Sequence, residues 1–300
     1  MNINQLDEMD RENFKVSLAN LAQFDQSLPD ICDDVSTYFK LVATLYSENA
    51  ADDADISIIR SVEDRVTAEQ VSDIADQQAE SDDPEIREAV MAFHRSWSRR
   101  MRGILLQLAY KQYMFSITDL LRLRVINAMG YLRNQIESFA LMSLFMSEPS
   151  RAREWMNIRS DQDGRDFYRS TQSAIASFRA KHDLDFAWEM ASGSSQHVRF
   201  SSAILGMESE AYTQDSQHVH EIRVSFQEAN RSQPESFILR GLTILRTQDR
   251  LFASIPDVLP ELESSDHLRN AIDHLREKVD RLYARVPQVF PEQARRWQNR

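Results

Sequence analysis

Four side chains of this sequence have the types and spacing of residues that act together in protein sites. Arg133 and Glu137 are four residues apart, so their guanidinium and carboxylate would meet on one face of a helix. Arg269 and His274 are five residues apart, which places them within about 140° of each other on a helix. Such a pair could hold a phosphate with the cation while the imidazole moves the proton of a ribose 2′-hydroxyl, with no need for a metal.

Both pairs also have a structural interpretation. The strongly apolar neighbourhood of Arg133 favours a partly buried ion pair, because a buried charge is tolerated only when it is paired and hydrogen-bonded. The alternative is a site, since perturbed charges concentrate at sites. For Arg269 and His274 the structural alternative is an exposed helix face, which is the favoured interpretation.

A histidine lies at the point where the helical pattern of the chain ends. His197 belongs to the segment SGSSQHVRF, which is rich in hydroxyl groups. It either caps a turn, which is the favoured interpretation, or it titrates near neutral pH in the same cleft as Arg133 and Glu137.

Metal and nucleotide chemistry have little support in the sequence. His218 and His220 would face one side of a strand and could bind zinc or copper, with Asp215 or Glu221 nearby, but two surface histidines are the favoured interpretation. The motifs GxGxxG, GxxxxGK[ST], GxSxG, CxxC and HExxH are absent. Their absence argues against Rossmann and P-loop enzymes, elbow-type serine hydrolases and thiolate zinc sites. We therefore predict no metal and no cofactor.

The elements that would position these residues are helices. Only 6 glycines and 8 prolines occur in 300 residues, which favours long helices over sheets with many tight turns. Residues 117–147 carry apolar side chains on most of a predicted helix, as expected at the centre of a bundle, and Gly130 is expected to mark close helix approach. The segment VHEIRVSFQE alternates like a strand. We predict an all-α antiparallel helical bundle with a small β-hairpin insertion near residues 198–230.

Charge is divided unevenly along the chain. The net charge is −12, but residues 1–86 hold 21 acidic and 5 basic side chains, and the remainder is slightly basic. We therefore divide the chain into an acidic helical extension, residues 1–86, and the bundle, residues 87–300. The basic helices are expected to pack against this acidic region in the same chain or in a partner, although RNA contact is an alternative.

Cysteine content and hydropathy indicate the compartment. Cys32 is the single cysteine, so no disulfide can form within the chain and a reducing compartment is expected. No run of about 18 apolar residues is present, so we predict a cytoplasmic protein without membrane contact.

Three short segments carry a family resemblance. They are RNQIES, which contains Arg133 and Glu137; EPSRAREW, about a dozen residues later; and SSQH, which contains Ser194 and His197. Together they resemble bacterial helical proteins of unassigned function with R-x-x-x-E and S-x-x-H motifs, which are often grouped with HEPN-like bundles. The likeness spans about residues 87–256. We call Arg133, Glu137, Ser194 and His197 the motif cluster.

The resemblance implies an antiparallel helical bundle, frequent dimerisation, and a role in RNA cleavage or as the partner of a toxin or defence system. The segment RNAIDH, which runs from Arg269 to His274 outside the region of likeness, is similar to the R-x4-H motif of HEPN ribonucleases.

Two functions follow as hypotheses. The first is a non-catalytic, homodimeric interaction or regulatory component of a bacterial stress or phage-defence system. In it the motif cluster is structural or senses a ligand, and the acidic N-terminal region binds a protein partner. The alternative is a metal-independent HEPN-type endoribonuclease, with His274 as general acid or base and Arg269 on the phosphate.

Overall fold

The structure is a computed structural model that describes residues 3–49, 53–62, 71, 73, 83–196, 208–214, 217–223 and 234–291. These residues are predominantly helical, which confirms the predicted helical class. The helices are α1 (Ile3–Phe24), α2 (Leu28–Asn49), α3 (Asp53–Ser61), α4 (Pro84–Leu121), α5 (Val125–Ser147), α6 (Ser150–Met156), α7 (Asp161–Lys181), α8 (Asp185–Gln196), α9 (Pro234–Ala253), α10 (Ile255–Val258) and α11 (Asp266–Val289). Two strands, β1 (Glu208–Gln214) and β2 (Gln217–Arg223), pair antiparallel, and a 3-10 turn (Pro260–Leu262) precedes α11.

The start of α4 follows from its local sequence. The Asp83 carboxylate accepts hydrogen bonds from the backbone N–H groups of Glu85 and Ile86, and Pro84 occupies the first helical position. Both features are typical of a helix N-terminus, because they satisfy or remove donors that have no partner within the helix. These two residues therefore mark the beginning of α4.

The predicted central helix of residues 117–147 is wrong at its beginning. The chain turns between α4 and α5 at Leu123, which has a φ of 60°. There the Arg124 N–H donates to the Asp119 carbonyl at 2.7 Å and the Leu123 N–H donates to the Leu120 carbonyl at 2.9 Å. This is the hydrogen-bond pattern of a glycine-type helix end, with leucine in the glycine position. The leucine side chain is only 4% exposed, so its burial offsets the cost of the left-handed conformation.

The turn makes α4 and α5 an antiparallel pair in the middle of the molecule. The Ser116 hydroxyl donates to the Ala128 carbonyl at 2.8 Å, near the turn. Further from the turn, the Gln135 amide donates to the Ala109 carbonyl at 3.2 Å. At the far end the Ser98 hydroxyl donates to the Phe145 carbonyl at 2.5 Å. These contacts hold the two helices in register.

The larger of two hydrophobic clusters in the described residues joins the N-terminal helices to α11. Buried residues of α1 and α2, such as Leu21, Val35 and Phe39, belong to the same cluster as Phe139 of α5 and Leu275 of α11. The first two helices therefore share their core with the rest of the bundle, although they belong to the acidic segment of residues 1–86. None of the helices in the described ranges is long and apolar enough to cross a membrane.

Ion pairs connect the acidic N-terminal helices to basic helices of the same chain. They are Asp10 with Arg124, Asp25 with Arg285, Asp34 with Lys278, and Asp55 with both Arg95 and Arg99. The interpretation that the acidic region packs against basic helices of its own chain is thereby confirmed. The exposed pairs among them orient the helices more than they stabilise them, because such pairs contribute at most about 1 kcal/mol each. Asp55 differs, because its side chain is only 5% exposed.

Gly130 does not have the expected role. A Cβ atom built on Gly130 meets nothing within 4 Å, so no neighbouring helix requires a glycine there. Close approach occurs at Gly103 of α4, where a Cβ would lie 3.1 Å from Cε1 of Tyr46. The expectation failed because the pattern of α5 alone does not show which of its faces meets a neighbour.

Candidate functional site

The predicted pair in α5 is present and has a third partner. Arg133 Nε donates to Glu137 Oε1 at 3.1 Å, and Arg133 Nη2 donates to the Tyr168 hydroxyl at 2.9 Å. The Tyr168 hydroxyl donates to the same Glu137 oxygen at 3.3 Å. The two charged side chains are half-buried, so the pair closes a triangle between α5 and α7.

A tryptophan of α8 completes this group. The guanidinium carbon of Arg133 lies 4.7 Å from the centre of the Trp188 ring, and that of Arg179 lies 4.4 Å from it. Arg179 Nε is 3.5 Å from the Asp185 carboxylate. Each guanidinium therefore has both an aromatic and an acidic neighbour, and we call these six residues (Arg133, Glu137, Tyr168, Arg179, Asp185 and Trp188) the Trp188 cluster.

The side chains of the other two motif-cluster residues, Ser194 and His197, cannot be placed relative to the Arg133–Glu137 pair. Ser194 lies in α8, the helix that carries Trp188 and packs against α5, but its side chain is outside the described residues. His197 is outside them altogether. A contact between His197 and the Arg133–Glu137 pair therefore stays a prediction. Sequence reasoning missed Tyr168, Arg179 and Trp188, because a cation over an aromatic ring leaves no mark in residue spacing when the two lie on different helices.

The arginine of the predicted ribonuclease pair is already engaged within its own chain. Arg269 and His274 are both exposed on α11. Arg269 donates to the Asp266 carboxylate at 3.1 Å and to the Glu263 carbonyl at 3.4 Å. Asp273, which is well exposed, directly precedes His274. A phosphate would therefore have to compete with Asp266 for Arg269.

The two hairpin histidines share one strand. His218 and His220 both belong to β2, two residues apart, and their side chains are outside the described residues. Asp215 also falls outside these residues, so the metal alternative stays untested there. In the ranges that the structure does describe, no group of three or more His, Cys, Asp or Glu side chains could hold a metal ion.

A groove of about 670 Å³ opens between α2, α3, α4 and α6. Its walls are mostly apolar. The residues that line it are Ala43, Tyr46, Ser47, Ile56, Ser96, Trp97, Arg99, Arg100, Met101, Gly103, Ile104, Leu106, Gln107 and Met156. Ile56, Ile104 and Met156 are each more than 40% exposed, so large apolar side chains face solvent at its mouth. We call this the α4 groove.

The two arginines of the α4 groove differ in their partners. Arg99 contacts the Asp55 carboxylate, and burial lowers the pKa of its guanidinium. Arg100 is exposed, and its guanidinium carbon lies 5.8 Å from the centre of the Trp97 ring. Among the residues that the structure describes, Arg100 forms no ion pair. The groove thus has one cation that is available to a ligand.

Tyr46 of the α4 groove is fixed by a hydrogen bond and by its contact with α4. The Tyr46 hydroxyl donates to the Arg99 carbonyl at 2.8 Å, and burial raises the pKa of Tyr46 to about 12. The Tyr46 ring lies against Gly103, where any larger residue would displace it. Tyr46 is therefore a neutral structural side chain at physiological pH.

Arg153 approaches the Trp97 ring as well, with its guanidinium carbon 4.9 Å from the ring centre. The described lining of the groove has an aromatic group and cations, and it contains no paired acid and base of the kind that proton-transfer chemistry requires.

The chain was compared with known proteins at three levels. No family model matches it, and neither the curated proteins nor the solved structures contain a match.

Proposed function

We propose that this chain is a non-catalytic interaction or regulatory component of a bacterial stress or phage-defence system, built on a HEPN-like bundle with a hairpin insertion. The observation that carries the interaction role is the α4 groove, where exposed apolar side chains lie beside an exposed arginine. The bacterial setting follows from the resemblance of the motif cluster.

The surroundings of the charged residues support binding over catalysis. The Arg133–Glu137 pair is engaged with Tyr168 and Trp188, an arrangement that joins α5, α7 and α8. Arg269 is engaged with Asp266 at the start of its own helix. A ribonuclease needs its cation free for a phosphate, so the engagement of Arg269 with Asp266 favours the non-catalytic hypothesis.

The partners that we propose are a second copy of the chain and another protein. Exposed apolar residues continue along α4 beyond the groove at Leu108, Met114 and Phe115, and the Phe115 ring lies 5.3 Å from that of Tyr131 on α5. Large exposed apolar side chains are typical of interaction surfaces when they are adjacent. The homodimer and the cytoplasmic location come from sequence reasoning.

Binding at the α4 groove is tested with a synthetic amphipathic helix. A rhodamine-labelled 14-residue peptide of leucine, alanine and glutamine, with no charged residue, is titrated with the full-length protein and followed by fluorescence anisotropy. We expect binding that weakens at least about fivefold in Ile104→Gln, because the apolar contact at the groove mouth is lost. Met91→Gln, a similarly exposed position on α4 that does not line the groove, is the matched control and should bind as wild type does. Equal affinity of all three proteins would contradict the proposal.

The ribonuclease alternative is tested directly. A mixed RNA pool is incubated with the full-length protein in EDTA, with His274→Ala and Arg269→Ala beside wild type. We expect intact RNA in every sample. Cleavage by wild type that both variants lose would replace the interaction proposal with the endoribonuclease.

A further inference from the structure

We infer that the α4 groove binds an acidic amphipathic helix of a partner protein, with the partner's apolar side chains in the groove and a partner carboxylate on Arg100. This inference rests on the proposed interaction function and specifies the chemistry of the partner.

The charge of the groove predicts the charge of the partner. The described residues that line it include two arginines and no aspartate or glutamate, although the chain as a whole has 47 acidic and 35 basic residues. Arg99 is engaged with Asp55, and this leaves Arg100 at the rim. Complementary charge mainly sets specificity and the rate of association, so a carboxylate opposite Arg100 would select among apolar partners.

The Trp97 ring holds the Arg100 side chain near the groove. A guanidinium within about 6 Å of an indole centre is attracted by the ring, and the distance here is 5.8 Å. The arginine therefore loses less side-chain freedom when it binds a carboxylate. A flexible, unattached arginine would give a weaker preference for acidic partners.

The backbone around the groove favours a helical partner. Every lining residue that the structure describes belongs to α2, α3, α4 or α6, so this lining presents no free strand edge that could pair with an extended peptide. A helix satisfies its own backbone groups and needs only side-chain contacts. Arg100, Ile104 and Gln107 follow one another along one face of α4 over roughly 10 Å, which matches about two turns of a partner helix.

RNA fits this surface less well than an acidic helix. Single-stranded RNA binds where aromatic stacking is combined with a positively charged path along the backbone. The groove places Trp97 beside Ile56, Ile104 and Met156, which would face phosphates and ribose without hydrogen bonds.

The experiment compares three versions of one labelled peptide with the full-length protein. They have the same leucine positions, and the remaining polar positions carry glutamate, glutamine or lysine. We expect the glutamate peptide to bind about tenfold more tightly than the lysine peptide, with the glutamine peptide between them, because attraction by Arg100 is replaced by repulsion. The preference should shrink at high salt, since this cation is exposed.

Two charge-reversal variants test whether Arg100 causes the preference for the glutamate peptide. In Arg100→Glu the order of the glutamate and lysine peptides should reverse. Arg281→Glu makes the same charge change at an exposed position on α11, away from the groove, and should keep the wild-type order. Reversal in both variants would show a general charge effect and would overturn the assignment to the groove.

The outcomes separate the inference from the function on which it rests. If the three peptides bind wild type equally and Ile104→Gln weakens all of them, the interaction function stands and the acidic partner is wrong. If no peptide binds, both fail. Binding of a 12-nucleotide uridine RNA that Arg100→Glu abolishes, without a preference for the glutamate peptide, would overturn the inference in favour of RNA.

Discussion

Two tryptophans, Trp97 and Trp188, each lie beside two guanidiniums, yet their surroundings differ. At Trp188 both arginines have an acidic neighbour, since Arg133 bonds to Glu137 and Arg179 approaches Asp185. At Trp97 the exposed Arg100 lies over the ring and forms no ion pair among the described residues. Both arginines at Trp188 thus have a carboxylate neighbour, whereas Arg100 at Trp97 has none among the described residues.

The difference shows how to tell a structural arginine from a binding one. A guanidinium with both a ring and a carboxylate has its charge compensated within the chain, so it connects helices. A guanidinium that has only the ring keeps its donors for a ligand. The Trp188 cluster joins α5, α7 and α8, whereas Trp97 and Arg100 border the α4 groove.

The largest loss of stability is expected when Arg102 is replaced. This arginine lies two residues after Arg100 on α4. Arg102 is 4% exposed, and it donates to Glu261 Oε1 at 2.6 Å and to the Val258 carbonyl at 2.9 Å. Arg102→Met should lower the free energy of unfolding by about 3–5 kcal/mol, because Glu261 loses its partner in a largely buried place. Urea unfolding measures this change. The double variant Arg102→Met with Glu261→Met should recover part of the loss, and a double variant as unstable as the single one would contradict this account.

The two tryptophan sites should respond differently to the loss of one arginine. Arg133→Ala should lower the free energy of unfolding by about 1–2 kcal/mol, because a half-buried Glu137 loses a charged hydrogen bond. Arg100→Ala should change it by less than about 0.5 kcal/mol, because the side chain is exposed and has no ion pair to lose. Urea unfolding of both variants beside wild type makes the comparison. Equal losses would remove the distinction between the two sites.

Replacing the glycines beside the two sites with alanine should have opposite effects on stability. Gly103→Ala places a Cβ 3.1 Å from the Tyr46 ring, so it should destabilise the protein and weaken peptide binding at the α4 groove. Gly130→Ala, one turn before Arg133, meets nothing and should raise the free energy of unfolding by about 1 kcal/mol through helix propensity. Thermal unfolding of the two variants is sufficient. A stabilising Gly103→Ala would show that the Tyr46 ring can move.

The smallest effect is a pH dependence on the Trp188 side of the molecule. Burial lowers the pKa of His182 at the end of α7, although Asp257, 3.3 Å away, acts in the opposite direction. Because the folded pKa is below the ordinary value of about 6.5, the unfolded chain binds the proton more readily. The contribution of His182 to stability is therefore complete above about pH 6.5 and is lost as the pH falls through the lower, folded pKa.

The stability of wild type relative to His182→Gln, measured by urea unfolding, should accordingly decrease from pH 7 to pH 5. His267→Gln removes an exposed histidine of α11 and is the control. A difference that increases toward pH 5 would mean that the folded protein stabilises the protonated imidazole.

Local signals in the sequence were sufficient for the helices and insufficient for their connections. Asp83 and Pro84 mark the start of α4 through chemistry that acts within one turn. Leu123 gave no such signal, because a leucine adopts a positive φ only when burial of its side chain repays the strain, and burial depends on the whole fold.

Some contacts of the candidate site could likewise be predicted from the sequence, and others could not. Arg133 and Glu137 could be paired from spacing alone, since helix geometry brings residues four apart together. Tyr168 and Trp188 could not be added, because they reach that pair from two other helices. The buried Gln135 and Gln248, whose amides exchange hydrogen bonds at 2.8–2.9 Å, are a second pair that only packing reveals.

The sequence by itself determined the helical class, the start of α4, the Arg133–Glu137 pair and the acidic character of the first helices, because composition, capping and spacing act over a few residues. The tertiary structure decided where α4 ends, which arginines are paired with carboxylates and where an apolar groove opens. These features depend on side chains that are distant in sequence and meet only when the helices pack.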